Sequence, residues 1–171
     1  RFAGYMNLYT GLLNTTATNL ISVINTANTA VAGYSVNSYV NGPLNRALAN
    51  GTATYAFPSG TASTYANLDL PVTTPGGTLS AQVEYKESAT GGTAGTGLSS
   101  LIDRYWKVDK TTGTGNITNT LPVVTTSGLG SGYRLGYSAT LTGAYSNISA
   151  APVSGTLTAV APTTITGTAP Q

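Results

Sequence analysis

Residues 78–86 restrict the fold more than any other stretch of the chain. Leu79, Ala81, Val83 and Tyr85 fall on one side of an extended backbone, and Ser80, Gln82, Glu84 and Lys86 fall on the other. Side chains that alternate in this way belong to a strand with one dry and one wet face. The same period of two, carried by β-branched and aromatic residues, recurs along all 171 residues, with Gly, Pro and Asn at the breaks. Strands are predicted at 5–13, 20–25, 37–40, 53–57, 64–70, 78–86, 101–108, 116–124, 133–142 and 155–160. Residues 44–49 are the one helix candidate, and six residues are too few for a helix to stand alone.

Turn chemistry separates these runs at Asn41-Gly42-Pro43, Asn50-Gly51, Pro58-Ser59-Gly60, Pro75-Gly76-Gly77 and Gly128-Leu129-Gly130-Ser131-Gly132. The segment 89–97 (ATGGTAGTG) has too little apolar surface to pack and reads as an exposed loop. Within 103–109, Arg104, Trp106 and Val108 share a face opposite Asp103, Tyr105, Lys107 and Asp109. Trp106, the one tryptophan, is expected at the centre of the core, with Val83, Tyr85 and Val108 around it.

The two ends differ from the middle. Residues 1–35 carry short apolar runs between Asn-Thr-rich joints, Asn14-Thr15-Thr16 and Asn25-Thr26-Ala27-Asn28-Thr29, which read as rungs of a flat stack. In 150–171, prolines at 152, 162 and 170 bracket two alternating runs, the mark of edge strands or extended arms. The expected fold is therefore all-β: an antiparallel β-sandwich, Ig-like or jelly-roll-like, over 36–149. A solenoid-like lead-in over 1–35 would precede it, and an extended arm over 150–171 would follow.

Charge limits the functional classes. Only 7% of residues are charged, against about 25% in ordinary domains, and the formal net charge is +2. Surfaces made of neutral hydroxyls and amides repel one another weakly and favour association. The seven basic residues are scattered among acids, so no nucleic-acid footprint exists. No apolar stretch approaches the roughly 20 residues of a membrane-spanning helix. Arg1 stands first rather than Met, as in a chain whose leader has been removed or a piece of a longer protein.

Catalysis finds little to work with. There is no Cys and no His, which removes thiolate chemistry and the commonest general base and metal ligand. The acids Asp69, Glu84, Glu87, Asp103 and Asp109 form no glycosidase-like pair, because Glu84 and Glu87 fall on opposite faces and the last two have basic neighbours. Ion pairing is the favoured role for them. No Asp-rich calcium loop occurs, and neither a cofactor nor an enzymatic activity is expected. Asn14, Asn50, Asn116 and Asn147 each open an Asn-x-Ser/Thr sequon, a potential glycan attachment point. Tyr133, Tyr137 and Tyr145 would suit a sugar-stacking platform if they shared a face.

One segment carries a resemblance. Residues 37–60, NSYVNGPLNRALANGTATYAFPSG, are similar to a recurring element of very large surface proteins of Bacteroidota exported by the type IX route. Asp103-Arg104-Tyr105-Trp106-Lys107-Val108 looks like the Arg-Tyr-Trp strand that follows in them, and Leu141-Thr142-Gly143-Ala144-Tyr145-Ser146-Asn147 fits the strand and turn near the module's end. The resemblance implies an adhesin-like or matrix-forming exterior protein with a solenoid-like lead-in, a β-sandwich and no catalytic activity. In that family position Arg46 would snorkel or bond exposed carbonyls.

Two functions follow. The first is a non-enzymatic structural subunit at the cell surface or outside the cell, polymerising with copies of itself or with neighbouring modules by strand addition. Its arms would be 1–13, with Arg1, Phe2, Tyr5 and Leu8, and 150–171, with Leu157, Val160 and Ile165. The second is an adhesin or carbohydrate-binding module that displays loops 89–97 and 128–132 to glycans or host surfaces.

Overall fold

A computed structural model describes residues 1–74, 76–114, 116–119, 123–126, 132–149, 156–158 and 163–165. Among them the chain is mostly β, with no α-helix and a single 3-10 turn at Asn28–Ala30. The strands are β1 (Met6–Asn7), β2 (Leu13–Asn14), β3 (Ile21–Val23), β4 (Val31–Ala32), β5 (Val40–Asn41), β6 (Leu44–Leu48), β7 (Gly51–Gly60), β8 (Tyr65–Thr74) and β9 (Leu79–Lys86). They continue with β10 (Thr93–Ala94), β11 (Tyr105–Thr112), β12 (Ile117–Asn119), β13 (Val123–Thr126), β14 (Gly136–Tyr137), β15 (Ala144–Asn147), β16 (Thr156–Thr158) and β17 (Thr163–Ile165). These strands form four sheets, none closed, in which parallel and antiparallel pairings mix. The arrangement is not the plain antiparallel sandwich expected from the alternation.

Among the described residues, every parallel strand pairing except that of β10 with β15 lies in the first sixty residues. β1 lies beside β4, β2 beside β5, β3 beside β6, and β5 beside the end of β7, while Phe2 bridges Val23. Partners sit about 19–27 residues apart, so successive turns of the chain stack as the layers of a short coil. Parallel stacking sets like side chains above one another. Asn41 Nδ2 donates to Asn14 Oδ1 at 2.8 Å, and Thr15 Oγ1 donates to the Pro43 carbonyl at 2.7 Å. The Asn41-Gly42-Pro43 corner must approach the layer below closely. Gly42 has φ +119°, and a Cβ there would stand 2.3 Å from the Thr15 carbonyl oxygen.

Several expectations change at this level. The run 5–13 is not one strand; it divides into β1 and β2, with Gly11 at φ +82° between them. Residues 44–49 are not helical, because β6 is held between β3 on one side and β9 on the other; tertiary pairing overrides so short a local preference. Pro58-Ser59-Gly60 is the end of β7 rather than a turn. Pro58 is tolerated there because β5 reaches β7 only at Ser59 and Gly60, leaving that side of the strand otherwise open. Segment 89–97 is not a free loop: β10 pairs in parallel with β15, and a Cβ on Gly92 would lie 2.4 Å from the Gly143 carbonyl oxygen. Close backbone approach, not flexibility, explains that glycine.

The antiparallel strands follow from β6 onward. β7 and β8 pair over their full ten residues, β9 pairs with β6 and β11, and β8 carries β12 and β13 along its other side. In β9 burial alternates residue by residue, as the period of two requires. In β11 it does not: Val108, Asp109 and Lys110 are all buried, next to a register shift between Lys110 and Thr112. One hydrophobic cluster joins Met6, Leu8, Val23 and Val31 from the coil to Leu79, Val83, Val108 and Ile117 from the antiparallel strands. Core packing thus continues across position 35, where the sequence suggests a boundary.

Val83, Tyr85 and Val108 are buried, but Trp106 is not the centre of the core. It is partly buried at the margin, its ring 5.1 Å from that of Tyr85, because its indole N–H donates to the Ala66 carbonyl at 3.0 Å. The largest fully buried side chain among the described residues is Arg46.

Candidate functional site

Arg46 lies on β6 with no exposed surface, where the sequence suggests a snorkelling side chain. Its guanidinium donates to the carbonyls of Ala27 (3.1 Å), Asn28 (3.0 Å) and Ala56 (2.6 Å), and it sits over the rings of Tyr55 (5.2 Å) and Phe57 (5.8 Å). A planar fork of donors suits such a triangle of acceptors. Burial pulls its pKa from 12.5 down to about 10, so it remains a cation at neutral pH. Tyr55 completes the anchor: its hydroxyl donates to the Thr26 carbonyl and accepts from the Ala49 amide. Together these two side chains pin the polar joint 25–29 to β6 and β7.

The open end of the coil is the second feature. Among the described residues β1 and β2 are each paired on one side only, and Phe2 bridges Val23 through backbone hydrogen bonds to Ser22 and Ile24. Large apolar side chains cluster beside this edge. Phe2 is 45% exposed, Tyr5 60% and Tyr9 79%. Arg1 is the only charge in residues 1–14, so electrostatic repulsion does little to guard the edge. Leu8, predicted as part of a free arm, is instead buried in the core, so residues 1–13 form the first layer of the stack. Tyr9 had no place among the expected arm residues. The signal for it is an internal echo: Tyr9-Thr10 with Leu13-Asn14 in the first layer, then Tyr34-Ser35 with Val40-Asn41 in the second.

The two described C-terminal segments, 156–158 and 163–165, pair within the chain. Leu157 in β16 pairs with Val124, and Ile165 in β17 pairs with Ile117, so both segments extend their own chain's sheet. Val160, the rest of 150–171, Pro75 and residues 128–131 lie outside the described residues. Of the sequons, Asn50 and Asn116 are exposed. Asn14 is exposed but its Oδ1 is taken by Asn41, and Asn147 Oδ1 accepts from the Ser149 amide. Tyr133, Tyr137 and Tyr145 make no common platform: Tyr145 is buried with its hydroxyl on the Leu141 carbonyl, and Tyr137 is half-buried.

Three of the acids meet a cation: Glu84 with Lys86, Glu87 with Arg104 at 3.8 Å, and Asp109 with Lys107 at 2.8 Å. Glu87 does more. It accepts from Thr64 (2.7 Å) and Thr61 (3.0 Å), tying the β7–β8 turn to the end of β9, and the Thr64 hydrogen bond is the main reason its carboxyl titrates below the usual 4.5. Among the described residues no group of three or more acids is gathered to hold a metal, and no helix is long and apolar enough to cross a membrane. No family model matches the chain, and no curated protein or solved structure matches it either.

Proposed function

We propose that the chain is a non-enzymatic structural module of an extracellular, cell-surface assembly, joined to a neighbouring module or to a copy of itself by strand addition at the open layer of its coil. The observation that carries this reading is the edge formed by Phe2, β1 and β2, where backbone groups stand ready to pair and the neighbouring side chains are exposed aromatics rather than charges. Natural proteins guard such edges with charge, bulges or covering segments, and stacked layers need caps at their ends. A further layer would continue the ladder already begun inside the chain, from Val40 to Leu13 and from Asn41 to Asn14. In finer detail we read the fold as a short parallel coil running into a β-sandwich, with the four- and eight-stranded sheets facing one another over the shared core. The motif resemblance to Bacteroidota surface modules supports the same placement outside the cell.

Sedimentation velocity and negative-stain microscopy test the reading. The native chain should form concentration-dependent oligomers or fibres. The triple variant Phe2→Lys, Tyr5→Lys, Tyr9→Lys changes only exposed side chains and should remain a folded monomer. A native chain that stays monomeric at every concentration, or a triple variant that assembles equally well, would overturn it.

A further inference from the structure

The dipeptide Asn-Gly occurs twice, at Asn41-Gly42 and Asn50-Gly51, and the fold treats the two steps differently. Asn41 ends β5, which is paired with β2 on one side and with β7 on the other. Its Nδ2 donates to Asn14 Oδ1 at 2.8 Å, its carbonyl accepts from the Thr15 amide at 3.0 Å, and the Gly42 backbone after it is pressed against Thr15. Neither the side chain nor the corner can turn without losing these contacts.

Asn50 stands in the open. It is exposed, it belongs to no strand, and among the described residues no hydrogen-bond partner holds its side chain. With Ala49 it forms the link that carries the chain from β6 in the four-stranded sheet to β7 in the eight-stranded one. Gly51 is the first residue of β7 and pairs with Thr74 at the outer end of the β7–β8 ladder, where pairing opens most readily. Its φ is +111°, and no atom stands within 4 Å of the place a Cβ would take.

We propose that Asn50 is a self-modifying site that converts in water to aspartate and isoaspartate, with Asn41 as its protected counterpart. The Gly51 backbone nitrogen attacks Asn50 Cγ. The N–Cγ bond forms, the Cγ–Nδ2 bond breaks, and Nδ2 leaves as ammonia with the proton from the Gly51 amide. Water then opens the five-membered succinimide ring. Entry at Cγ gives aspartate, and entry at the Asn50 main-chain carbonyl carbon gives isoaspartate, whose backbone is one methylene longer. Solvent is the only co-reactant. The reacting groups are joined through one residue, so the rate depends on how freely the side chain and the following nitrogen can meet. Glycine has no Cβ to obstruct that approach. Conversion replaces a neutral amide with a carboxylate, lowering the formal net charge of +2 by one, and the isoaspartyl product lengthens the link between β6 and β7. This site is distinct from the coil edge and does not depend on assembly.

The test is peptide mapping by mass spectrometry after incubation of the whole chain in warm, mildly alkaline buffer. Trypsin separates the two steps, since cleavage after Arg1, Arg46 and Lys86 yields 2–46 with Asn41 and 47–86 with Asn50. In the folded chain 47–86 should gain about 1 Da, the mass of an amide-to-carboxylate exchange, with fragmentation placing it at Asn50. Its rate should exceed that at Asn41 by about tenfold or more, a barrier difference of about 1.4 kcal/mol or more. In concentrated urea the two steps should convert at similar rates, because the packing that restrains Asn41 is gone. Asn50→Ser, a change at an exposed position outside the strands, should leave 47–86 unshifted. Equal rates in the folded chain, a faster Asn41, or an Asn50 that stays intact when folded but converts in urea would each overturn the assignment. A gap of the same size that persists in urea would also overturn it, by tracing the difference to neighbouring residues rather than to the fold.

Discussion

Replacing Arg46 by methionine removes the buried cation while keeping most of its volume. Three carbonyls, of Ala27, Asn28 and Ala56, lose their donor, and the rings of Tyr55 and Phe57 lose the charge above them. An acceptor left unpaired costs about 1–3 kcal/mol when fully buried. These hydrogen bonds are part-buried, so the lower half of that range applies to each. Against this stands the desolvation that burial imposes on the guanidinium, visible in its pKa of about 10, which methionine relieves. The net loss should be about 3 kcal/mol, a large part of the roughly 5–15 kcal/mol that holds a typical domain together. Urea unfolding followed by circular dichroism measures it, and thermal unfolding should show a fall in Tm of about 6–12 °C for a chain of this size. Arg46→Lys should lose somewhat less, since an ammonium can serve one or two of the three carbonyls but lacks the planar fork. Amide exchange should quicken around Asn28 in both variants. A methionine variant within about 1 kcal/mol of the native chain would refute the view that carbonyl satisfaction, rather than packing alone, accounts for this residue.

Two further outcomes follow from local geometry. Gly42→Ala should destabilise by more than about 2 kcal/mol, since φ +119° disfavours a side chain and the added Cβ would stand 2.3 Å from the Thr15 carbonyl oxygen; equal denaturation midpoints for the two chains would show that the corner can relax. Glu87 titrates below the ordinary 4.5 in the folded chain, chiefly through Thr64, so its contribution to stability is present above that value and is lost as pH falls through the lower folded-state pKa. Thr64→Val should move the Glu87 carboxyl upward in an NMR titration and flatten that acid dependence; an unchanged titration would remove Thr64 as the cause.

Much of the secondary structure was legible because a strand with one buried face must alternate. Residues 79–86 are the plainest case, and the Asn-Thr-rich joints of 1–35 likewise signalled stacked layers. Alternation says which face of a strand is dry but not which strand lies beside it. Pairing of Leu13 with Val40, or of Ile21 with Leu44, closes long loops whose partners no local pattern names. Trp106 was misplaced for a related reason: size argued for the centre, whereas its indole N–H needed the Ala66 carbonyl and drew it to the margin.

The candidate sites were less legible still. An arginine reads as a surface residue until three carbonyls converge on it, and two Asn-Gly steps read alike as turns until the fold packs Asn41 and leaves Asn50 exposed. The amino-acid order by itself determined that this chain is extended, alternating, sparsely charged and broken by tight corners. Only the tertiary structure decided which layers stack, which edges stay open and where Arg46 and Asn50 come to lie, because the partners of a polar group are set by distant segments and not by its neighbours in the chain.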